Sequence, residues 1–245
     1  MELWQYLLLF GSVLAGGAVG FRVERDSRRT LQLVLSLTGA YILGITVLHL
    51  LPDVYSANTH SIGLWILGGF FIQILLEQFS KGVEHGHVHA VQHHRRSHAL
   101  GILFGLGIHS FLEGLPLSHF AHFHEQLHAH DHTLQSQLLL GIVLHKLPAA
   151  FALVLLLRLS GFRKRVVWGL LAAFALVSPL GAAVGAWLAF DLETHRYVLA
   201  VVIGLFLHIS TTILFEADDT QHHRISWPKL VAILLGVGVA VLTVW

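Results

Sequence analysis

Apolar runs of about 20 residues, separated by short clusters of charge, recur along this chain, and no other feature restricts its fold so severely. A run of that length crosses ~30 Å of hydrocarbon as an α-helix. In lipid each backbone donor and acceptor must be satisfied within the segment, which helices do. Of the 245 residues, 55% are hydrophobic and 12% are Asp, Glu, Lys or Arg, where a soluble domain carries about 25% charged residues. The expectation is an all-α integral membrane protein forming one transmembrane domain over residues 1–245. Eight spans are expected at about 3–20, 31–51, 62–79, 99–118, 134–157, 166–190, 197–215 and 228–245. The first run has no basic segment before it and no small-residue cleavage site, so it reads as a retained helix.

An even number of spans puts both termini on one side, and the loops predict which. Lys and Arg accumulate on the cytoplasmic face during insertion. Alternate loops hold Arg22, Arg25, Arg28 and Arg29; Lys81, Arg95 and Arg96; Arg158, Arg163, Lys164 and Arg165; and Arg224 with Lys229. The opposite loops hold only Arg196. Both termini are therefore expected outside the cytoplasm, in a plasma (inner) membrane. The net charge is +1 and no basic face is seen, so nucleic acid is not expected as a partner. There is no cysteine, which removes disulfides and thiolate ligation and leaves imidazole and oxygen for any metal chemistry.

Against this apolar background His49, Asp53, His109, Glu113, His145, Lys146, His208 and Glu216 stand within or at the ends of expected spans. One charge at a helix centre costs at least about 2.5 kcal/mol, so such groups pair, bind an ion or line a wet path. His109 and Glu113, in IHSFLEGLPL, are four residues apart and share a helix face, the spacing at which imidazole and carboxylate can hold one ion. A His–Glu hydrogen bond that merely satisfies two buried groups accounts for the pair equally well. The next helix carries His145, Lys146 and Pro148 in LHKLPAAFAL, with Pro116 and Pro148 in matching places. Proline removes a backbone donor and frees a carbonyl, so two broken helices facing each other suggest a transport path. Lys146 would repel a metal unless it neutralises or turns away. It can pair with Glu113 or Glu216, stand in for a second metal ion, or snorkel to an interface. His49 and Asp53 repeat the four-residue spacing in VLHLLPD, as an ion entrance or as an interfacial pair. His208 and Glu216, eight apart in GLFLHISTTILFE, share one face of the seventh helix, with Glu216 equally readable as an interfacial carboxylate.

At these residues the sequence resembles the ZIP (Zrt/Irt-like) family of divalent-metal transporters. GAYILGITVLHLLPD, HSFLEGLPL, LHKLPAAFALVL, FALVSPLGAAVGAWL and GLFLHISTTILFE resemble that family's second, fourth, fifth, sixth and seventh helices, in order. The resemblance implies an eight-helix bundle with inverted internal symmetry, a homodimer in membrane lipid, and a metal carried between the fourth and fifth helices. On it His109 and Glu113 fall on metal-binding positions, Ser110 where many members have Asn, and His145 on the first polar position of the fifth-helix motif. Lys146 and Ala149 stand where acidic residues are frequent. That departure resembles the subset with His-Lys in the fifth helix and favours one main ion, held by His109, Glu113 and His145. It also implies an elevator-like sliding of helices one, four, five and six against two, three, seven and eight. Gly181, Ala182, Ala183, Gly185 and Ala186 suit such sliding, and suit fixed close packing as well.

Two loops are rich in histidine. Residues 81–98, expected in the cytoplasm, hold His85, His87, His89, His93, His94 and His98 in EHGHVHAVQHHRRSH. Residues 119–133, expected outside, hold His122, His124, His128, His130 and His132 beside His119 in SHFAHFHEQLHAHDH. Such tracts bind zinc loosely or serve as polar linkers. Bound metal should leave below about pH 6, where imidazole protonates.

The expected function is uptake of a divalent cation, zinc foremost, into the cytoplasm, with the cation as transported substrate and no organic cofactor. No Gly-rich phosphate loop points to ATP. An intramembrane zinc hydrolase would also use His and carboxylates, but HExxH is absent and no base beyond the ligands stands out. A sensor that binds metal without moving it is the remaining alternative.

Overall fold

The computed structural model describes residues 1–22, 28–56, 61–80, 96–118, 133–215 and 226–243. Those residues form helices and no strand. Helix α1 is Leu3–Arg22. Helix α2 runs Arg28–Ile45, passes through a π turn at Thr46–Leu50, and continues as Leu51–Tyr55. Then come α3 (Ile62–Ser80), α4 (Arg96–Gly114) and a 3-10 turn at Leu115–Ser118. The second half holds α5 (Thr133–Leu159), α6 (Lys164–Leu188), α7 (Leu192–Phe215) and α8 (Trp227–Leu242). Seven of these are long and apolar enough to cross a membrane, and α8, at 16 residues, is a shorter apolar helix.

Where helices begin and end follows local chemistry. Residue 52 is proline, yet α2 continues beyond it, because a helix tolerates proline in the first turn of a segment and Pro52 sits there, just past the π turn. Helix α7 starts five residues before the expected 197, since the Asp191 carboxylate accepts the Thr194 backbone N–H at 2.9 Å and caps it. The two matching prolines behave differently. At Pro116 the α-helix gives way to the 3-10 turn, whereas α5 runs unbroken through Pro148. Only one of the two expected breaks is therefore present.

The helices sort into two packed groups. In one, α1 lies along α5 and α6, and α4 along α6; in the other, α3 lies along α7, and α2 along α7 and α8. Glycine makes these seams. A Cβ at Gly204 would strike the Ile66 carbonyl and one at Gly69 the Val201 carbonyl, so α3 and α7 touch backbone to backbone. Gly114 and Gly181 do the same for α4 and α6, Gly16 for α1 against α5, and Gly236 for α8 against α2. Between groups, α3 meets α4 and α2 meets α5. Along the second of these boundaries Gly141 faces the Ile45 side chain rather than a carbonyl. Of the small residues in α6, Gly181, Ala182 and Gly185 are buried while Ala183 and Ala186 are exposed.

The cores follow the same division. Val13, Ile102, Leu106, Leu153, Leu157, Leu171 and Phe174 form a cluster drawn wholly from α1, α4, α5 and α6. At that end Leu35, Ile209 and Ile213 make a separate cluster in the other group. Between them opens an apolar crevice of about 240 Å³, lined by Gly16, Val19, Thr30, Leu31, Val34 and Phe151 among others. At the opposite end both groups share one core, in which Leu9, Leu117 and Leu138 meet Ile42, Leu50 and Phe206. Basic side chains collect at the divided end. Arg158 donates to the Gly20 carbonyl at 3.2 Å, Arg96 to the Gly161 carbonyl at 3.1 Å, and Arg158 and Lys164 both stand over the Phe21 ring.

Candidate functional site

The buried polar residues of α4, α5 and α6 meet near the middle of the first group. Close contact of α4 with α6 through Gly114 and Gly181 brings Ser178 beside the α4 backbone, where its hydroxyl donates to the Ser110 carbonyl at 2.6 Å. It also lies 3.3 Å from Glu113 Oε1. His109 and Glu113, one turn apart on α4, face each other with Nε2 and Oε2 separated by 3.3 Å. From α5 the Lys146 ammonium forms an ion pair with Glu113 Oε1 and donates to Ser110 Oγ at 2.8 Å. The same ammonium sits 5.5 Å from the centre of the Phe174 ring. His145, next along α5, sets its ring at 86° to that of His109 with centroids 6.2 Å apart. Glu113 is fully buried, and His109, Ser110, His145 and Lys146 are each at most 3% exposed.

A carboxylate with no access to water needs compensating charge, because isolated burial of an ion costs several kcal/mol. Lys146 supplies it here. Of the three roles open to that lysine, the geometry is that of an internal ion pair with Glu113, and interfacial snorkelling is incompatible with its burial. Among the described residues no three His, Asp or Glu side chains converge tightly enough to form a ready metal cluster. His109 and Glu113 are in contact, and His145 stands one ring away.

The other expected site residues are scattered. His49 lies in the π turn of α2 and Asp53 follows in its last segment, both half-buried and at the end of the bundle where the two groups share a core. His208 on α7 is half-buried and holds Glu77 of α3, Nε2 to Oε2, at 2.6 Å, with Phe70 edge-on at 5.0 Å. Glu216 lies outside the described residues, as do His85, His87, His89, His93, His94, His119, His122, His124, His128, His130 and His132.

Three participants escape a reading of the sequence. Gln73 on α3 is fully buried and its Oε1 lies 3.1 Å from His109 Nδ1. Glu77 is the partner of His208. Gln73 and Glu77 are four residues apart inside an apolar run, the same signal that singles out His109 and Glu113. Ser178 carries no such hint, being one hydroxyl before a proline in an apolar helix. His195 and Lys229, each near a helix start, are also buried.

Comparison with known proteins gives the following. A family model described as "ZIP Zinc transporter" matches residues 84–243. The chain is similar to "Zinc transporter ZIP1" of Mus musculus, 26% identical over 280 residues, which covers 94% of this chain and 82% of that protein. It is also similar to "Zinc transporter SLC39A7" of Rattus norvegicus, 33% identical over 117 residues, covering 37% of this chain and 25% of that protein. The same-named protein of Sus scrofa is 31% identical over 117 residues, 24% of its own length. The chain thus spans about a quarter of the SLC39A7 relatives and most of the ZIP1 relative.

Proposed function

The chain belongs to the ZIP zinc transporter family, and from that premise we propose that it moves a divalent cation, zinc foremost, across the membrane, with His109, Glu113 and His145 as its central ligands. One observation carries the reading: the 3.3 Å between His109 Nε2 and Glu113 Oε2. Two ligands held ~2.0–2.1 Å from a tetrahedral zinc ion are about 3.3–3.4 Å apart. The pair therefore has the spacing of two zinc ligands already in place. His145, perpendicular to His109 and one ring away, closes on the same ion with a modest side-chain rotation. Imidazole with carboxylate also suits other first-row divalent ions, and zinc is favoured by the family.

In this reading Lys146 holds Glu113 while no ion is bound and yields the carboxylate when one arrives. A single ion, rather than a pair, is then the cargo. Ser110 contributes through Lys146, and His49 with Asp53 serves the approach from the end where the groups share a core. His208 and Glu216 belong to the path beyond the site. The histidine loops 81–98 and 119–133 gather the ion on either side.

Uptake into the cytoplasm is the proposed direction, with the Arg-bearing end inside and both termini outside, supported by the lopsided loop charges and by Arg96, Arg158 and Lys164 at one end. The proposed motion is an elevator-type slide of α1, α4, α5 and α6 against α2, α3, α7 and α8. Backbone seams within each group, and the parting of their cores at one end, favour it. The functional unit is proposed to be a homodimer in lipid, without organic cofactor or enzymatic activity.

The test is zinc flux into metal-free liposomes holding the purified protein, beside His109→Ala and Glu113→Ala. Saturable flux in the wild type and its loss in both variants is the expected result. Zinc binding without flux would replace transport by sensing, and flux that survived both substitutions would remove the site.

A further inference from the structure

We propose that Gln73 is a positioning residue for the cargo ion, acting through His109 by deciding which of its ring nitrogens bears the proton. The inference rests on the assignment of His109 as a ligand and extends it to a residue of the opposite helix group.

A neutral imidazole has one donor and one acceptor, and its tautomer follows from what the two nitrogens face. His109 faces two acceptors. Gln73 Oε1 stands 3.1 Å from Nδ1, and Glu113 Oε2 stands 3.3 Å from Nε2. An amide oxygen only accepts, so the contact with Gln73 draws the proton to Nδ1 and leaves a lone pair on Nε2. That lone pair then lies beside a carboxylate oxygen in a fully buried place, an arrangement that attracts a cation. Without Gln73 the favourable choice reverses. The proton moves to Nε2, donates to Glu113, and blocks the atom that would hold the metal. The Gln73 contact is therefore what keeps the pair ready for an ion rather than closed upon itself.

The position of Gln73 adds a consequence. It stands on α3, in one packed group, and His109 stands on α4, in the other. Glu113 and His145, beside the His109 ring, belong to its own group. The Gln73 hydrogen bond crosses the boundary, so a relative slide that broke it would deprive the metal-bound ring of its Nδ1–H partner and weaken the hold on zinc. Affinity is thereby tied to the relative position of the two groups.

The experiment compares zinc uptake by the full chain in liposomes for wild type, Gln73→Leu, Gln73→Met, Gln73→Glu and His109→Ala, over a range of zinc concentrations. Losing an outer partner of a metal-binding histidine lowers metal affinity about 10- to 100-fold. Gln73→Leu and Gln73→Met, which lack a strong acceptor, are expected to raise the half-saturating zinc concentration by that factor while the maximal rate persists. Gln73→Glu keeps an acceptor at the same reach and is expected to return the half-saturating concentration to the wild-type level or below. A packing role alone would be disturbed most by the buried Glu, so the rescue discriminates. Wild-type half-saturation in Gln73→Leu or Gln73→Met, or an increase in Gln73→Glu matching theirs, overturns the proposal. If His109→Ala abolishes uptake while those variants behave as wild type, only the role of Gln73 falls. Uptake unaffected in His109→Ala removes the site and this inference together.

Discussion

Replacing Lys146 by methionine removes the ammonium that neutralises Glu113 and leaves side-chain volume nearly unchanged. Breaking one side of a buried ion pair costs about 3–5 kcal/mol, because the remaining charge has lost its compensation. The lower bound of that range, about 3 kcal/mol, is the conservative figure for Lys146→Met. In a domain of this size that is a fall of about 6–12 °C in unfolding midpoint. Zinc changes the outcome. A ligand at about one hundred times its Kd stabilises by ~2.7 kcal/mol, nearly the whole deficit. If Glu113 is a ligand as proposed, the ion must displace the ammonium in the wild type before it gains the carboxylate, whereas in Lys146→Met the carboxylate is already vacant. At one fixed zinc concentration the variant should therefore gain more than the wild type. The assay is thermal unfolding in detergent, with chelator and then with zinc. Equal metal-free midpoints, or a larger zinc shift in the wild type, would refute the assignment of Lys146 as the stand-in for the ion.

The glycine seams predict opposite signs at two positions: Gly69→Ala should destabilise by about 1–3 kcal/mol through overpacking, while Gly169→Ala, whose Cβ meets nothing within 4 Å, should stabilise by about 0.5–1 kcal/mol. Both are read from unfolding midpoints. His208→Ala deprives Glu77 of a partner at 2.6 Å and should cost about 1–3 kcal/mol, detected in the same way; no loss would mean that the contact contributes nothing. At the exposed start of α7, hydrogen bonds from Thr194 hold the Asp191 carboxyl below its ordinary value. A depressed folded-state pKa stabilises above the ordinary carboxylate value of about 3.9 and is lost as pH falls through the folded value. The midpoint difference between wild type and Asp191→Ala should accordingly be constant at neutral pH and shrink in acid, and a difference that grew in acid would contradict the cap.

Much of the fold was legible because lipid permits so few solutions. Each apolar run had to become a helix, and among the described residues eight helices stand, seven of them long and apolar enough to cross a membrane. The ends depend on single local contacts. Asp191 capping α7 and the π turn that carries α2 past Pro52 are decided by hydrogen bonds that hydropathy does not register. The proline symmetry was half legible, since Pro116 ends its α-helix whereas Pro148 is absorbed by α5, the most buried span. At the site, a pair on one helix is visible from spacing alone, as with His109 and Glu113. Partners on different helices are not. His208 meets Glu77 of α3, and the Glu113 partner of Lys146 depends on the packing of α4 on α5 and α6.

The neutrality of the Lys146–Glu113 pair bears on how the membrane potential acts on the carrier. With its two charges cancelling, the Lys146–Glu113 pair carries no net charge through the field. In the proposed site a bound zinc ion raises that charge to two. Moving one elementary charge across 100 mV is worth about 2.3 kcal/mol, so a full traverse of the loaded site would be favoured by up to about 4.6 kcal/mol when the cytoplasm is negative. The empty return gains and loses nothing. In the proposed cycle a carboxylate in place of Lys146 would leave the empty site negative and divide the voltage sensitivity between the two strokes, whereas a lysine concentrates it in the loaded stroke.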